Sequence, residues 1–139
     1  MKISQSQAIP ATKLGLIRNK RLKILLIDDE DRFRKAMSLT LERKYGAGVT
    51  SVGSGPEAVE TLKAGNSFDI IFLDIMMPQV SGVETYHEMR NVSPECRIVM
   101  MSAYSDSEEW ETARQLHVEL IHKPIPEEVL SKILESIRK

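Results

Sequence analysis

The strongest constraint on the fold is a short apolar run that ends on an acid. Residues 70–73 read I-I-F-L and lead without a polar interruption into Asp74. A continuous apolar run bounded by turn residues is typical of a strand buried on both faces, as in a parallel sheet. Pro78 and Gly82 oppose regular structure just beyond it. The run therefore predicts that Asp74 ends a buried strand, at the edge where open α/β sheets bind their ligands.

Four more apolar runs alternate with helical patterns along the chain. The predicted strands cover residues 23–27, 49–52, 70–74, 97–101 and 119–122. The predicted helices cover residues 31–45, 54–65, 82–93, 106–115 and 126–138. In the first of these, Phe33, Met37 and Leu41 recur at helical spacing and form an apolar face. Strands that alternate with helices predict a (βα)₅ α/β domain over residues 22–139, with helices on both faces of a doubly wound, five-stranded parallel sheet.

Charge is distributed unevenly along the chain. Residues 1–22 contain five basic residues and no acid, whereas residues 23–139 carry a net charge of −6. We expect residues 1–21 to form a disordered basic leader. The acidic body argues against direct binding of nucleic acid by the domain.

The lengths of the apolar runs and the number of cysteines indicate the cellular compartment of the protein. Cys96 is the single cysteine, so no disulfide can form within the chain. No apolar run approaches the length of roughly 18 residues that a membrane span needs. We therefore expect a cytoplasmic protein that does not bind a membrane.

Polar side chains follow four of the five predicted strands. Asp28 and Asp29 come after the first strand, Asp74 ends the third, Ser102 comes after the fourth and Lys123 after the fifth. The carboxyl ends of parallel strands share one edge of a sheet, so we expect these groups to lie together. Three carboxylates with no histidine or thiol favour a hard cation, of which partly hydrated Mg²⁺ is the usual example. A neighbouring amine and hydroxyl suit a phosphoryl group, which makes Asp74 a candidate nucleophile.

At this point the sequence resembles the receiver domain of bacterial two-component response regulators. The matching motifs are I-D-D at 27–29, L-D-I-M-M-P-x-x-S-G at 73–82, M-S-A at 101–103 and K-P at 123–124. The resemblance implies a flavodoxin-like fold with strand order 2-1-3-4-5. It also implies phosphorylation by a sensor histidine kinase or a phosphotransfer protein. Phosphorylation would switch an output face formed by the fourth helix, the fifth strand and the fifth helix, and could drive homodimerisation. Trp110, on the predicted fourth helix, would lie on that face.

The resemblance also assigns roles to the residues at the strand ends. Asp74 would be the phosphoacceptor. Asp29 and Asp74 would bind Mg²⁺ directly, Asp28 would act mainly through water, and the backbone carbonyl of Met76 would be a further ligand. Lys123 would pair with the phosphoryl group, and the peptide bond that follows it would be cis.

The chain departs from the family pattern near the switch hydroxyl. Ser102 would be that hydroxyl, which moves towards the phosphoryl oxygens. The family commonly has Tyr or Phe three residues before the lysine, as the rotameric partner of the hydroxyl, but here the residue is Leu120. Tyr104, two residues after Ser102, is an aromatic residue that could take over part of this gating.

Two alternative functions have related chemistry or a related fold. Haloacid-dehalogenase-like phosphatases and phosphotransferases also use an aspartate nucleophile, but they place a second aspartate two residues later as the general acid. That position is Met76 here, so turnover would lack its proton donor. A flavodoxin-like nucleotide or FMN binder would need a Gly-rich phosphate loop after the first strand, where this chain has four acids. We therefore expect a signalling receiver that catalyses only its own phosphorylation and dephosphorylation.

Overall fold

All five strands of the sheet are parallel and lie in the order second, first, third, fourth and fifth. The computed structural model describes residues 21–137, in which the strands are β1 (Lys23–Ile27), β2 (Gly48–Val52), β3 (Ile70–Asp74), β4 (Ile98–Ser102) and β5 (Glu119–His122). The helices are α1 (Asp31–Tyr45), α2 (Gly55–Lys63), α3 (Gly82–Val92), α4 (Glu108–Gln115) and α5 (Glu127–Ile137). The (βα)₅ fold and the implied strand order are thus confirmed.

Successive residues of the central strands pack into two different cores. In β3, Ile70 and Phe72 pack with residues of α1 and α5, whereas Ile71 and Leu73 pack with residues of α2, α3 and α4. Every residue of β3 and of β4 is buried. The sheet therefore has helices on both faces, which explains why these strands are apolar without alternation.

Most element boundaries agree with the sequence prediction to within one or two residues. The fourth strand lies one residue later than predicted, so that Ser102 is its last residue. The predicted 106–115 helix begins two residues late, at Glu108, because the side chain of Ser107 accepts a hydrogen bond from the N–H of Trp110 and caps the helix there.

Helices α2 and α3 approach each other more closely than their sequences suggest. Val83, Tyr86 and Met89 form the apolar pattern of α3, and Met89 is fully buried while the other two are half-buried. Thr85, which the apolar pattern does not include, is also fully buried. A Cβ atom added to Gly55 would lie 2.0 Å from the Thr85 hydroxyl oxygen, so the absence of a side chain at Gly55 allows this contact.

The ends of the chain are described only in part. The predicted leader, residues 1–21, lies outside the described residues except for Arg21. The guanidinium group of Arg21 donates hydrogen bonds to the carbonyl oxygens of Gly46 and Ala47, at 3.1 and 2.9 Å. Within residues 21–137, no helix is long and apolar enough to cross a membrane.

Candidate functional site

The site lies where the strands end, and backbone hydrogen bonds hold these ends in register. The N–H of Asp28 donates to the carbonyl of Val52 at the end of β2, over 3.2 Å. The N–H of Lys123 donates to the carbonyl of Ser102 over 3.0 Å. These bonds continue the sheet ladder by one residue, so the side chains that follow neighbouring strands emerge side by side.

Three carboxylates converge at this edge. Asp28, Asp29 and Asp74 each offer an oxygen atom, and these three atoms lie within 4.8 Å of one another. Asp28 is 0% exposed and Asp74 is 3% exposed, whereas Asp29 faces solvent. Opposite ligands of an octahedral Mg²⁺ ion are about 4 Å apart. The separation and the all-oxygen chemistry of the three carboxylates therefore fit a small hard cation.

Lys123 lies between two of these acids. Its Nζ donates to Oδ2 of Asp28 over 2.7 Å and lies 3.6 Å from Oδ2 of Asp74. Glu30, which is exposed, lies farther away at 4.0 Å. Burial disfavours the charge on Lys123, but the hydrogen bond to Asp28 and the charges of the nearby acids outweigh it and raise the pKa of the ammonium group. The lysine therefore keeps its charge beside Asp74.

Burial dominates the ionisation of Asp74. Burial, and after it the negative charge of Asp28, raise the pKa of this carboxyl, and the net result of all the interactions is a shift from 3.8 to about 7. The positive charge of Lys123 and a hydrogen bond from the backbone N–H of Met76, 3.2 Å from Oδ1, oppose this shift. In the absence of a cation, Asp74 therefore carries its negative charge at a considerable energetic cost.

Ser102 and Tyr104 are linked through the backbone. The buried hydroxyl oxygen of Ser102 accepts a hydrogen bond from the N–H of Tyr104 over 2.9 Å. Tyr104 as a whole is 61% exposed. Leu120 is half-buried and packs in the core on the side of α2, α3 and α4. The structure thus brings the backbone of Tyr104 next to the serine hydroxyl.

Most of the predicted site residues line one open cleft of about 460 Å³, whereas Asp28 and Leu120 are not part of its lining. Its lining consists of Asp29, Glu30, Asp74, Met76, Ser102, Ala103, Tyr104 and Lys123. The peptide bond between Lys123 and Pro124 is cis, as the resemblance implied. Asp74 lies at the bottom of an opening large enough for a phosphoryl group to approach it.

Gly82 has a function at this site that its sequence position alone does not reveal. Its N–H donates to the carbonyl of Ile75 over 2.9 Å, and a Cβ atom at this position would lie 2.4 Å from the backbone carbonyl oxygen of Asp74. Only glycine allows the start of α3 to pack so closely against the end of β3. A Gly eight residues after a strand-ending Asp is the available signal, but the sequence led us to interpret it only as a residue that opposes regular structure and begins a helix.

Comparison with known proteins is consistent with this geometry. Residues 24–135 match the family described as response regulator receiver domain. Transcription factor SKN7 of Chaetomium thermophilum is 31% identical over 137 residues, which is 95% of this chain and 18% of that protein. Sensor protein TorS of Escherichia coli is 28% identical over 130 residues, or 91% of this chain and 14% of that protein. This chain thus corresponds to less than a fifth of the length of either relative.

Solved structures agree with the sequence relatives. The chemotaxis protein CheY4 of Vibrio cholerae is 26% identical, with a TM-score of 0.70, over 84% of this chain and 98% of that one. A response regulator receiver domain protein from Clostridium thermocellum is 25% identical, with a TM-score of 0.74, over 84% of this chain and 94% of that one. These likenesses do not favour the haloacid-dehalogenase-like alternative. The chain belongs to the response regulator receiver domain family and is a phosphoryl-accepting signalling domain.

Proposed function

We propose that Asp74 is the residue that accepts the phosphoryl group, in a reaction that requires Mg²⁺. The observation that carries this proposal is the convergence of three carboxylates and one ammonium group at the end of β3. Of these carboxylates, Asp74 combines deep burial with a position on the floor of an open cleft. A nucleophile must be reachable by its substrate, and the cleft meets that requirement.

Asp28, Asp29 and Asp74 are the residues that would hold the cation, together with the backbone carbonyl of Met76. Their oxygen atoms are the ligand type that Mg²⁺ prefers. When bound, Mg²⁺ supplies positive charge that neutralises the carboxylates and polarises the phosphoryl oxygens. The exposure of Asp29 leaves that side of the site open to water, which suits an ion that keeps part of its hydration shell.

The chain's own residues account for the remaining parts of the transfer. An oxygen of the Asp74 carboxylate forms a bond to phosphorus, while the bond between phosphorus and its donor breaks and the donor leaves with that electron pair. Lys123, already charged and 3.6 Å from Asp74, would pair with a phosphoryl oxygen. Ser102 would exchange its hydrogen bond with the backbone of Tyr104 for one to the same group.

The proposal also includes the protein that donates the phosphoryl group. We infer that the donor is a sensor histidine kinase or a phosphotransfer protein, since receiver domains of this kind accept phosphate from histidine kinases.

The output of phosphorylation would be a change in the face formed by α4, β5 and α5. On that face the ring of Trp110 stacks on that of His122, with centroids 4.8 Å apart. His122 directly precedes Lys123, so a movement of the lysine has a short route to this surface. Homodimerisation through the same face remains a prediction for size-exclusion chromatography of the phosphorylated protein.

Phosphorylation by a small donor tests the proposal directly. The protein is incubated with Mg²⁺ and acetyl phosphate, and intact mass spectrometry then measures the addition of one phosphoryl group. We expect Asp74→Asn to abolish the addition and EDTA to prevent it in the wild type. An unchanged wild-type mass, or continued addition to Asp74→Asn, would contradict the assignment. Sustained release of phosphate at a high rate would instead indicate a phosphatase.

A further inference from the structure

The aromatic ring of Phe33 lies against the ammonium group of Lys123. The Nζ atom is 4.5 Å from the centroid of the ring. This is within the distance of about 6 Å at which a cation is attracted to an aromatic face. The side chain of Lys123 is only 11% exposed, so the contact lies where water screens it poorly. The attraction should therefore be stronger here than at an open surface.

Packing on α1 and after β5 keeps the ring in this position. Phe33 is half-buried and belongs to the edge of the core between α1 and α5. Together with Met37, Pro124 and Ile125 it lines an apolar groove. The ring thus packs with apolar neighbours and also contacts the ammonium group of Lys123.

The hydrogen bonds of Lys123 explain what the ring adds. An ammonium group has three N–H donors. One of them is used by Asp28 at 2.7 Å, and Asp74 lies near a second at 3.6 Å. The third nearby carboxylate, that of Glu30, lies 4.0 Å from Nζ, beyond hydrogen-bond distance, so it does not take the last donor. An aromatic face attracts the positive charge with little directional demand, so a donor stays free for a phosphoryl oxygen.

We propose that Phe33 is a positioning residue for phosphoryl acceptance, whose ring holds the ammonium group of Lys123 beside Asp74 without contacting the phosphoryl group itself. This inference rests on the proposed function of Asp74. It adds a residue of α1 to a site that otherwise consists of strand-end and loop residues. It also assigns the ring an electrostatic function in addition to its packing.

A series of fluorinated rings separates these two functions. Phe33 is replaced site-specifically by 4-fluoro- and by 3,4,5-trifluorophenylalanine, since the chain also contains Phe68 and Phe72. Fluorine changes the size of the ring little but makes its face progressively less negative. The measurement is the rate of Asp74 phosphorylation by acetyl phosphate with Mg²⁺. We expect the rate to fall in the order of fluorination, and Phe33→Leu to lower it by roughly three- to thirty-fold.

Rescue and matched control variants complete the test. Phe33→Trp keeps an aromatic face and should restore most of the rate that Phe33→Leu loses. Phe68→Leu makes the same change at a half-buried phenylalanine before the amino end of β3, remote from the cleft, and should leave the rate unchanged. In NMR spectra, the ε-methylene protons of Lys123 should be shifted upfield by the ring in the wild type and should lose this shift in Phe33→Leu.

The outcomes distinguish this inference from the function on which it rests. Equal rates across the fluorinated series would overturn it, even if Phe33→Leu were slow, because packing alone would then explain the loss. A wild type with no ring-current shift at Lys123 would also overturn it. If the wild type were not phosphorylated at Asp74, the proposed function would fail, and this inference would fail with it.

Discussion

A Cβ atom at position 82 would lie 2.4 Å from the backbone carbonyl oxygen of Asp74. Real Cβ atoms do not approach a backbone oxygen this closely, so Gly82→Ala must shift either the start of α3 or the end of β3. We expect a loss of about 1–3 kcal/mol in the free energy of unfolding, in line with other over-packed sites. Urea denaturation measures it.

A matched glycine provides the control for this variant. A Cβ atom on Gly48 would meet only the carbonyl oxygen of Leu22, at an ordinary distance of 3.8 Å. Gly48→Ala should therefore change stability by much less than Gly82→Ala. Equal losses would indicate that the contact with Asp74 is not the cause.

The raised pKa of Asp74 predicts a pH-dependent stability in the metal-free protein. Folding favours the neutral form of this carboxyl, because its pKa rises from 3.8 to about 7. The contribution of the carboxyl to the free energy of unfolding is therefore fully present below pH 3.8 and is lost as pH rises towards 7. At pH 8 in EDTA, Asp74→Asn should be more stable than the wild type by about 1–3 kcal/mol. The difference should shrink towards pH 4.

Chemical denaturation at several pH values measures this difference. Glu60→Gln, which neutralises an exposed carboxylate on α2, is the matched control and should show no such pH dependence. A wild type that is the more stable protein at pH 8 would contradict the prediction. Addition of Mg²⁺ should reduce the advantage of Asp74→Asn, because a ligand stabilises only the folded state that binds it.

Substitutions of Asp28 and Asp29 should separate an effect on Mg²⁺ affinity from an effect on the stability of the fold. Asp29 is exposed, so Asp29→Asn should weaken Mg²⁺ binding with little change in the stability of the metal-free protein. Asp28 is buried and bonded to Lys123, so Asp28→Asn should also destabilise the fold, by about 3 kcal/mol, since it removes one partner of a buried ion pair. Calorimetric titration with Mg²⁺ and urea denaturation in EDTA measure the two effects. Equal destabilisation by both variants would contradict this distinction.

Trp110 should report the change at the output face. It is the only tryptophan in the chain and stacks on His122. We expect acetyl phosphate with Mg²⁺ to change its fluorescence in the wild type but not in Asp74→Asn. His122→Ala removes the stacking partner and should alter the emission of the unphosphorylated protein. A signal that persists in Asp74→Asn would show that the fluorescence does not follow phosphorylation.

The contact between α2 and α3 can be tested by a double-mutant cycle. The Thr85 hydroxyl is buried without a hydrogen-bond partner among residues 21–137, and a Cβ on Gly55 would lie 2.0 Å from it. Gly55→Ala should cost about 1–3 kcal/mol of stability. Adding Thr85→Ala should recover part of that loss, because it removes the obstructing oxygen. Strictly additive losses would indicate that the helices do not meet at these two residues.

Strand ends could be predicted from the sequence because they depend on local patterns. The apolar run before Asp74 and the run before Lys123 each determine where a strand stops, and parallel pairing then brings the two residues to one edge. The same reasoning located Ser102 to within one residue of its position in the strand. The fold and the acidic and basic parts of the site therefore follow from periodicity and topology.

Contacts that depend on helix placement could not be predicted in this way. Phe33 is apolar and lies on the inner face of α1, so the pattern assigns it to the core. Its contact with Lys123 depends on how α1 packs beside the end of β5. The two residues are ninety positions apart in the sequence, so no local pattern links them. Thr85 was missed for a related reason, since its burial follows from a close approach to Gly55 and not from its own polarity.

Two elements of the proposed output face, α4 and β5, contribute few buried residues to the structure. In α4 the only buried residue is Ala113, and β5 has four residues, none of them fully buried. Local opening costs least where few apolar contacts resist it, so backbone amides of α4 and β5 should exchange with solvent hydrogen sooner than those of β3. A signal that begins at Asp74 would thus reach elements that can rearrange while most of the buried residues of both cores stay in place.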